Sequence, residues 1–451
     1  MPEGIVERRV LKGDFEFFLV QKTVTPDSLA RNRYAPMTLE LAIHSIHDIR
    51  LASSSRLEGK ILSVNPRELE AIVAESGRVR LAETAAVHPH ERVRAAPVLD
   101  VVEPRAKEDP KVWAFPGWTG PPVSAGHGRT HVLRGTAVVA VGRIAGAQDA
   151  ILDMGPQADP YCPFSRTHNL VLVFEAPEGL DRVAADDGIR KAILRVAEFL
   201  AGLARGLEPD RTEMWEWPPV PCQKPRTGLV YLIQSQGDLR RTYVYGQPAD
   251  SLLPTLLDPL EVLDGAVVSG NFVLPANKTC TYIHQNHPLI TEMFRRHSSQ
   301  LDFVGVILAN EMSRLEDKER SAHFVAKLAR LLRIQGVVIN QEGGGNTITD
   351  VMMLCRILSG LDIKVVLLVN EFAGSDGKTP SLAETTPEAT AIVSAGNNDH
   401  LVTLPPTERL LGMTDFPGVE GPLSGEITVP LSRIYASTNQ MGFNSLSCRS
   451  R

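Results

Sequence analysis

Three glutamates, Glu311, Glu342 and Glu371, each fall just beyond a short apolar run: Phe303 to Leu308, Gly336 to Asn340 and Lys364 to Val369. If those runs are neighbouring parallel strands, three carboxyl groups converge on one rim. Converging carboxylates can hold an ammonium group or a metal, or share a proton so that one acts as acid and another as base. The same residues also suit helix N-caps and solvated loop charges, and the spacing alone leaves both readings open.

Glu342 opens a second candidate, the loop Glu342-Gly343-Gly344-Gly345-Asn346 between a predicted strand and a predicted helix. Backbone amides in such a loop can bind a carboxylate or phosphate. It is neither a GxGxxG nor a Walker sequence, so nucleotide binding is poorly supported, and glycines at such a turn can be a steric necessity only. His284-Gln285-Asn286-His287 has an HxxH spacing, a weak metal signal because zinc needs three or four ligands. Cys280 would be nucleophilic only with a lowered pKa, and an inert buried thiol is the simpler reading. Lys278 could form a Schiff base if desolvated, but lysine in a polar loop is expected to be solvated.

The elements that must position these groups change character along the chain. The first part reads as β-rich: Phe15 to Val24, Thr38 to Ile46, Gly59 to Val64, Arg94 to Val102 and Thr136 to Val141 carry strand-like patterns. Pro104 to Gly128 reads as an ordered loop anchored by Trp113, Phe115 and Trp118. Ile189 to Ala204 has a helical apolar stripe with Asp186 or Asp187 as the expected cap. From Pro288 onward, helices (Pro288 to His297, Leu315 to Leu332, and one reaching Leu358) alternate with the three apolar runs. Ala391 to Val393 and Leu401 to Leu404 continue the series. The pattern predicts an α/β fold: a β-rich N-terminal region, then a C-terminal α/β domain with a mainly parallel sheet covered on both faces. Ligands in such sheets sit at the carboxyl ends of strands, which points to Asn310-Glu311, Asn340 to Asn346, Asn370-Glu371 and Gly396-Asn397-Asn398.

Composition excludes several classes. The 451 residues are 43% hydrophobic and 22% charged, as in ordinary globular proteins, and allow two or three domains. A net charge of −6 gives no electrostatic case for nucleic acid or an anionic membrane. The five scattered cysteines lack zinc-ribbon spacing and fit reduced, cytoplasmic thiols. No secretory signal or membrane-spanning apolar run is expected.

One stretch narrows the field. Asp264-Gly265-Ala266-Val267-Val268-Ser269-Gly270-Asn271-Phe272 is followed by Tyr282-x-His284-Gln285-Asn286, and later by Asp317-Lys318-Glu319-Arg320, Gln341-Glu342-Gly343, Leu404-Pro405-Pro406 and Ser437-Thr438-Asn439-Gln440-Met441-Gly442-Phe443-Asn444. Upstream lie Ile151-Leu152-Asp153-Met154, Pro163-Phe164-Ser165, Gln234-Ser235-Gln236-Gly237 and Thr242-Tyr243-Val244-Tyr245-Gly246. Together, in this order, they resemble the proprotein subunit of component B of the glycine/sarcosine/betaine reductase complexes. The resemblance implies an alpha-like region, 1–271, and a beta-like region, 272–451. It implies a hetero-oligomer with a larger subunit carrying cysteine or selenocysteine, and reductive cleavage of a C–N bond α to a carboxylate. It also implies a pyruvoyl group, made when the residue after Ser-Gly-Asn cleaves the chain. That group captures a primary amine as an imine.

Here the sequence departs from the family. The processing position holds Phe272, where the family has cysteine, and the place of a second cysteine holds Ala276. Cleavage needs a side chain that attacks the preceding carbonyl, and phenylalanine has no heteroatom. The expectation is therefore an intact chain without pyruvoyl or another cofactor. It would bind an amino-acid-like small molecule through Asn271, Phe272, His284, Asn286, Gly343, Gly344 and Asn346, with Glu311, Glu342 and Glu371 as candidate catalytic groups. Two other readings stand beside it: a non-catalytic subunit that folds and orients the redox partner, and a lyase or hydrolase built on the glutamate rim.

Overall fold

The computed structural model describes the backbone at 6–12 and 15–21, and residues 36–444, 446 and 447 except 77, 123–124, 145–148, 237–238, 240 and 271–273. Asn271 and Phe272 lie outside the described residues. Two compact units are distinguished, Met1–Met37 and Thr38–Arg451. In the first, Val6–Lys12 pairs antiparallel with Phe15–Gln21.

The second unit is mixed α/β. Its first part holds two four-stranded sheets: Arg105–Lys107, Gly128–Arg134, Met37–Ser45 and Arg211–Trp217 in one, and Arg80–Val87, His168–Glu175, Thr136–Val141 and Val98–Val102 in the other. The expected run Arg94 to Val102 is two strands, divided at Pro97, which has no N–H for a ladder. A helix, Arg182–Gly202, buries Ile189, Ile193, Val196, Ala197 and Leu200 against this region. Its cap is Asp181, whose carboxylate accepts from the amides of Val183 (3.0 Å) and Ala184 (3.2 Å). Asp186 and Asp187, expected as caps, lie inside the helix, Asp186 paired with Arg190. The cap sits further upstream because the first turn carries little apolar signal.

A six-stranded sheet forms the rest of the frame. Numbered along the chain within this sheet, its strands are β1 (Arg226–Ile233), β2 (Thr255–Leu257), β3 (Asp302–Asn310), β4 (Gly336–Asn340), β5 (Lys364–Glu371) and β6 (Ile392–Asn397), in the order β2-β3-β1-β4-β5-β6. All neighbours are parallel except β2, which is antiparallel to β3. β1 and β2 come from before residue 272, so the sheet draws strands from both sides of the 271/272 junction. Leu401–Leu404 leaves the series and pairs antiparallel with Ile427–Pro430. Helices α3 (Leu315–Leu331) and α4 (Thr347–Ser359) pack Val325, Ala329, Val351 and Leu354 onto one face of the sheet. α1 (Thr281–Gln285) and α2 (Pro288–Arg296) bring His284 and His287 against Tyr231 of β1, and Phe294 against Phe303 of β3.

β1 lies between β3 and β4, the strands that follow it on either side. The chain therefore reverses its winding at β1, and the crevice outside its carboxyl end is the topological switch point of the sheet, where open α/β folds place their ligands. No described helix is long and apolar enough to cross a membrane.

Candidate functional site

Three strand ends meet at the switch point. Gln234 directly follows β1, Glu311 directly follows β3, and Glu342 is the second residue after β4. The amide N–H of Glu342 donates to Glu311 Oε1 at 2.9 Å. The Gln234 side chain, oriented with its nitrogen toward the acceptors around it, donates to Glu311 Oε2 and to the Glu342 carbonyl, both at 3.1 Å. Two of the three glutamates thus converge. Glu371, at the end of β5, lies half-buried and accepts from Ser394 Oγ, with no recorded contact to either.

The two buried carboxyls differ in support. Glu342 accepts from three donors: Thr242 Oγ1 at 2.9 Å, the Gln234 amide at 3.2 Å and the Thr279 amide at 3.3 Å. Burial raises its pKa, while Lys278 and these donors pull the other way and favour the carboxylate. Burial also raises Glu311, and the negative charges of Asp350 and Glu342 push it further, well above the usual carboxylate range. Both carboxyls are thus raised, and Glu311, with Asp350 and Glu342 beside it, is the one raised well above its usual range.

The glycine loop follows directly. Gly343 has φ +104° and gives its carbonyl to Gln440 Nε2. A Cβ on Gly344 would stand 2.5 Å from the Phe372 ring, so close approach requires glycine there. Asn346 is the N-cap residue of α4 without a side-chain cap bond, and its carbonyl accepts from Lys318 Nζ at 3.1 Å. Lys318 also pairs with Asp350. Beside the loop is a cavity of about 180 Å³ lined by Gly345, Ile348, Asn370, Phe372 and Leu382 among others.

Among the described residues, several buried side-chain atoms in this part of the fold have no hydrogen-bond partner. They include both amide atoms of Asn340 and of Gln341, Thr347 Oγ1, Asn370 Oδ1, Asn398 Nδ2, Asn277 Nδ2 and Gln440 Oε1. Buried polar atoms are normally paired, and each orphan costs about 1–3 kcal/mol. The sequence points to the strand ends at Asn340, Asn370 and Asn398 as ligand positions but does not single out Asn277, which lies at no strand end.

His284 is fully buried. Tyr231 OH shares a hydrogen bond with its Nδ1, and Nε2 has no partner among the described residues. Burial and the neighbouring His287 hold His284 well below the usual imidazole range, and burial brings His287 down to about 3. Asn286 faces elsewhere: its amide donates to Glu103 Oε2 at 3.1 Å and accepts from Arg105 at 3.2 Å, bracing the β-rich part. The one cluster with metal-ligand spacing among the described residues is Cys222, His297 and Asp302. Both nitrogens of His297 are already engaged there, by the Phe303 amide (3.1 Å) and the Val220 carbonyl (2.9 Å).

The segment after the junction is deeply embedded. Thr281 donates through its amide (3.0 Å) and hydroxyl (2.6 Å) to Asp100. Asn439 Nδ2 donates to the Lys278 carbonyl and to Thr279 Oγ1, each at 3.0 Å. Asn370 Nδ2 and Thr438 Oγ1 donate to Asn277 Oδ1. Cys280 is fully buried and burial pushes its thiol up, so it is inert as a nucleophile. Lys278, expected to be solvated, is 1% exposed and donates to the Gly270 carbonyl. The polar run Lys278-Thr279-Cys280-Thr281 hid this, because strand, helix and C-terminal segments distant in sequence cover it.

The family described as glycine/sarcosine/betaine reductase component B subunits matches residues 37–449. The chain is 38% identical over 426 residues to the sarcosine reductase complex component B subunit alpha of Peptoclostridium acidaminophilum, covering 92% of this chain and 100% of that protein. It is 37% identical over 429 residues to the glycine reductase complex component B subunits alpha and beta of Acetoanaerobium sticklandii, covering 92% and 100%. Identity to the betaine reductase complex component B subunit alpha of P. acidaminophilum is 34% over 402 residues, covering 86% and 90%. No solved structure matches. The chain belongs to the glycine/sarcosine/betaine reductase component B subunits, an oxidoreductase family whose members are subunits of reductase complexes.

Proposed function

We propose that this chain is an unprocessed, pyruvoyl-less subunit that binds substrate in a reductase complex of the glycine/sarcosine/betaine type. A larger cysteine- or selenocysteine-bearing subunit supplies the reducing nucleophile. The pyruvoyl group does not fit the residue present, since Phe272 offers no heteroatom to attack the preceding carbonyl. No step therefore runs through it.

The observation that supports the binding role is the set of orphaned polar atoms at the carboxyl ends of β4, β5 and β6 and on the segments packed against them. They offer donors (Asn277 Nδ2, Asn398 Nδ2) and acceptors (Asn370 Oδ1, Gln440 Oε1) within one neighbourhood, which suits a small zwitterion rather than an ion of one sign. A carboxylate matches the amides that open α4. An ammonium, including an N-methylated one, matches Asn370 Oδ1 and the face of Phe372 beside the cavity. In this reading the partner's thiolate or selenolate attacks the α-carbon, a carbon–sulfur or carbon–selenium bond forms, and the C–N bond breaks. The amine leaves with the bonding pair. A quaternary amine leaves neutral without a proton and cannot form an imine, so loss of the pyruvoyl carbonyl costs such a substrate nothing. In this reading Glu311, whose pKa burial raises, holds the proton that such a leaving amine needs.

Calorimetric titration with betaine, sarcosine and glycine tests this reading. Binding of an N-methylated amino acid that is lost in Asn370→Leu supports it. Failure of all three ligands to bind, with the partner present, refutes it and leaves the assembly role.

A further inference from the structure

Arg134, Arg211 and Arg295 come from three separate elements and line one cavity of about 380 Å³. Trp215 and Phe443 give it aromatic walls. It shares no lining residue with the cavity beside the glycine loop. Two segments that carry the family resemblance, Gln285-Asn286 and Gly442-Phe443, meet here, and the binding role at the strand ends makes no use of them.

The ion pairs around this cavity are short of acid. Glu103 serves two guanidiniums. Arg105 bonds its Oε2 at 2.9 Å and 2.6 Å, and Arg134 Nε stands 2.9 Å from its Oε1 without the alignment of a hydrogen bond. Glu292 also serves two, Arg296 at 2.6 Å and Arg295 at 3.6 Å. Arg211 pairs with Glu213 at 3.0 Å. Five arginines thus share three glutamates. The wall behind Arg134 is also fixed in place. Gln285 Oε1 accepts from the Glu103 amide at 3.0 Å, and Asn286 Nδ2 donates to Glu103 Oε2 at 3.1 Å.

A neutral donor adds to the positive charge. Trp215 Nε1 is buried with no hydrogen-bond partner, while the ring packs against Phe294 at 5.2 Å. A buried indole N–H normally finds an acceptor. Pro288 and Thr291, in the first turn of α2, border the same cavity, so the helix dipole also favours negative charge there. Guanidinium forks match the planar oxygens of carboxylate and phosphate. A bare oxyanion would leave the aromatic walls uncovered.

We propose that this cavity is a second ligand site, which binds a small organic anion. Its carboxylate or phosphate head is held by Arg134, Arg211, Arg295 and Trp215 Nε1, and its apolar body lies against Trp215 and Phe443. This goes beyond the binding role proposed above and does not depend on it.

Calorimetric titration of the full-length chain at low salt tests the site. Phenyl phosphate and phenylacetate are the two probes, and benzyl alcohol is the neutral control. The expected result is one site per chain for an anion and none for the alcohol, and the tighter of the two anions identifies the head group. Arg211→Ala and Arg295→Ala alter side chains that are 56% and 70% exposed, so the fold should persist. Each should weaken binding about tenfold or more, the worth of one hydrogen bond to a charged group. Trp215→Phe keeps an aromatic wall, loses the N–H and should weaken binding as well. Failure of both anions to bind, equal binding of benzyl alcohol, or anion binding indifferent to both arginine variants overturns the proposal.

Discussion

The main-chain N–H of Glu342 donates to Glu311 Oε1 at 2.9 Å, so the residue that opens the glycine loop also holds the carboxyl group from the far side of β1. Gln234, at the end of β1 itself, ties both together. The two carboxyl groups and the loop form one unit, and disturbing any member should be felt by the others.

Glu311→Gln should change how stability depends on pH. The folded-state pKa of Glu311 lies well above its unfolded value, through burial and then Asp350 and Glu342. Its contribution is therefore complete below the ordinary carboxyl range and is lost as pH rises through the raised folded value. The amide variant has no proton to lose, so its melting temperature should exceed that of the wild type on the alkaline side and fall less with pH. Parallel melting curves for the two proteins from acid to alkaline pH would refute the assignment of the proton.

Glu342→Ala should be severe. It strands the amides of Gln234 and Thr279 and the hydroxyl of Thr242 in the interior, at about 1–3 kcal/mol for each donor left unpaired. Glu342→Gln keeps an acceptor oxygen and should recover a large part of the loss. Urea unfolding of both variants is the measurement, and equal destabilisation would mean the donors do not matter.

Gly344→Ala places a methyl carbon 2.5 Å from the Phe372 ring. Overpacking of this kind costs about 1–3 kcal/mol, and the displaced ring should also reshape the adjoining cavity. Phe372→Leu in the same chain should relieve part of the cost. If Gly344→Ala is neutral by thermal melting, the loop is looser than its contacts imply.

Lys278→Met should lower stability. Lys278 is the buried cation whose charge favours the carboxylate forms of Asp100 and Glu342, and removing one partner from a buried charge group costs about 3–5 kcal/mol. Thermal melting is the measurement, and a melting temperature equal to or above that of the wild type would show that Lys278 carries no charge balance there.

Much of the frame was legible from local pattern. Gly336–Asn340 and Thr136–Val141 fall on their apolar runs, because a buried parallel strand needs an unbroken one. The glutamates and glycine loop were found by the same logic, since each follows such a run. What was not legible depends on distant parts of the chain. β1 (Arg226–Ile233) follows a proline-rich stretch and is inserted between two strands that come later, so nothing in its own sequence marks it as the central strand. Its position makes Glu311 and Glu342 converge and leaves Glu371 outside. Lys278 read as a loop lysine for the same reason: its burial is supplied by Asp100, Arg190, Glu342 and the segment around Asn439, none of them near it in sequence.

The central claim is that this family member works without self-cleavage. Intact mass of the protein purified together with its redox partner tests it most directly. The account predicts one species with the mass of the full 451-residue chain. Two fragments parting between Asn271 and Phe272, the second beginning with a blocked, carbonyl-bearing terminus, would contradict it.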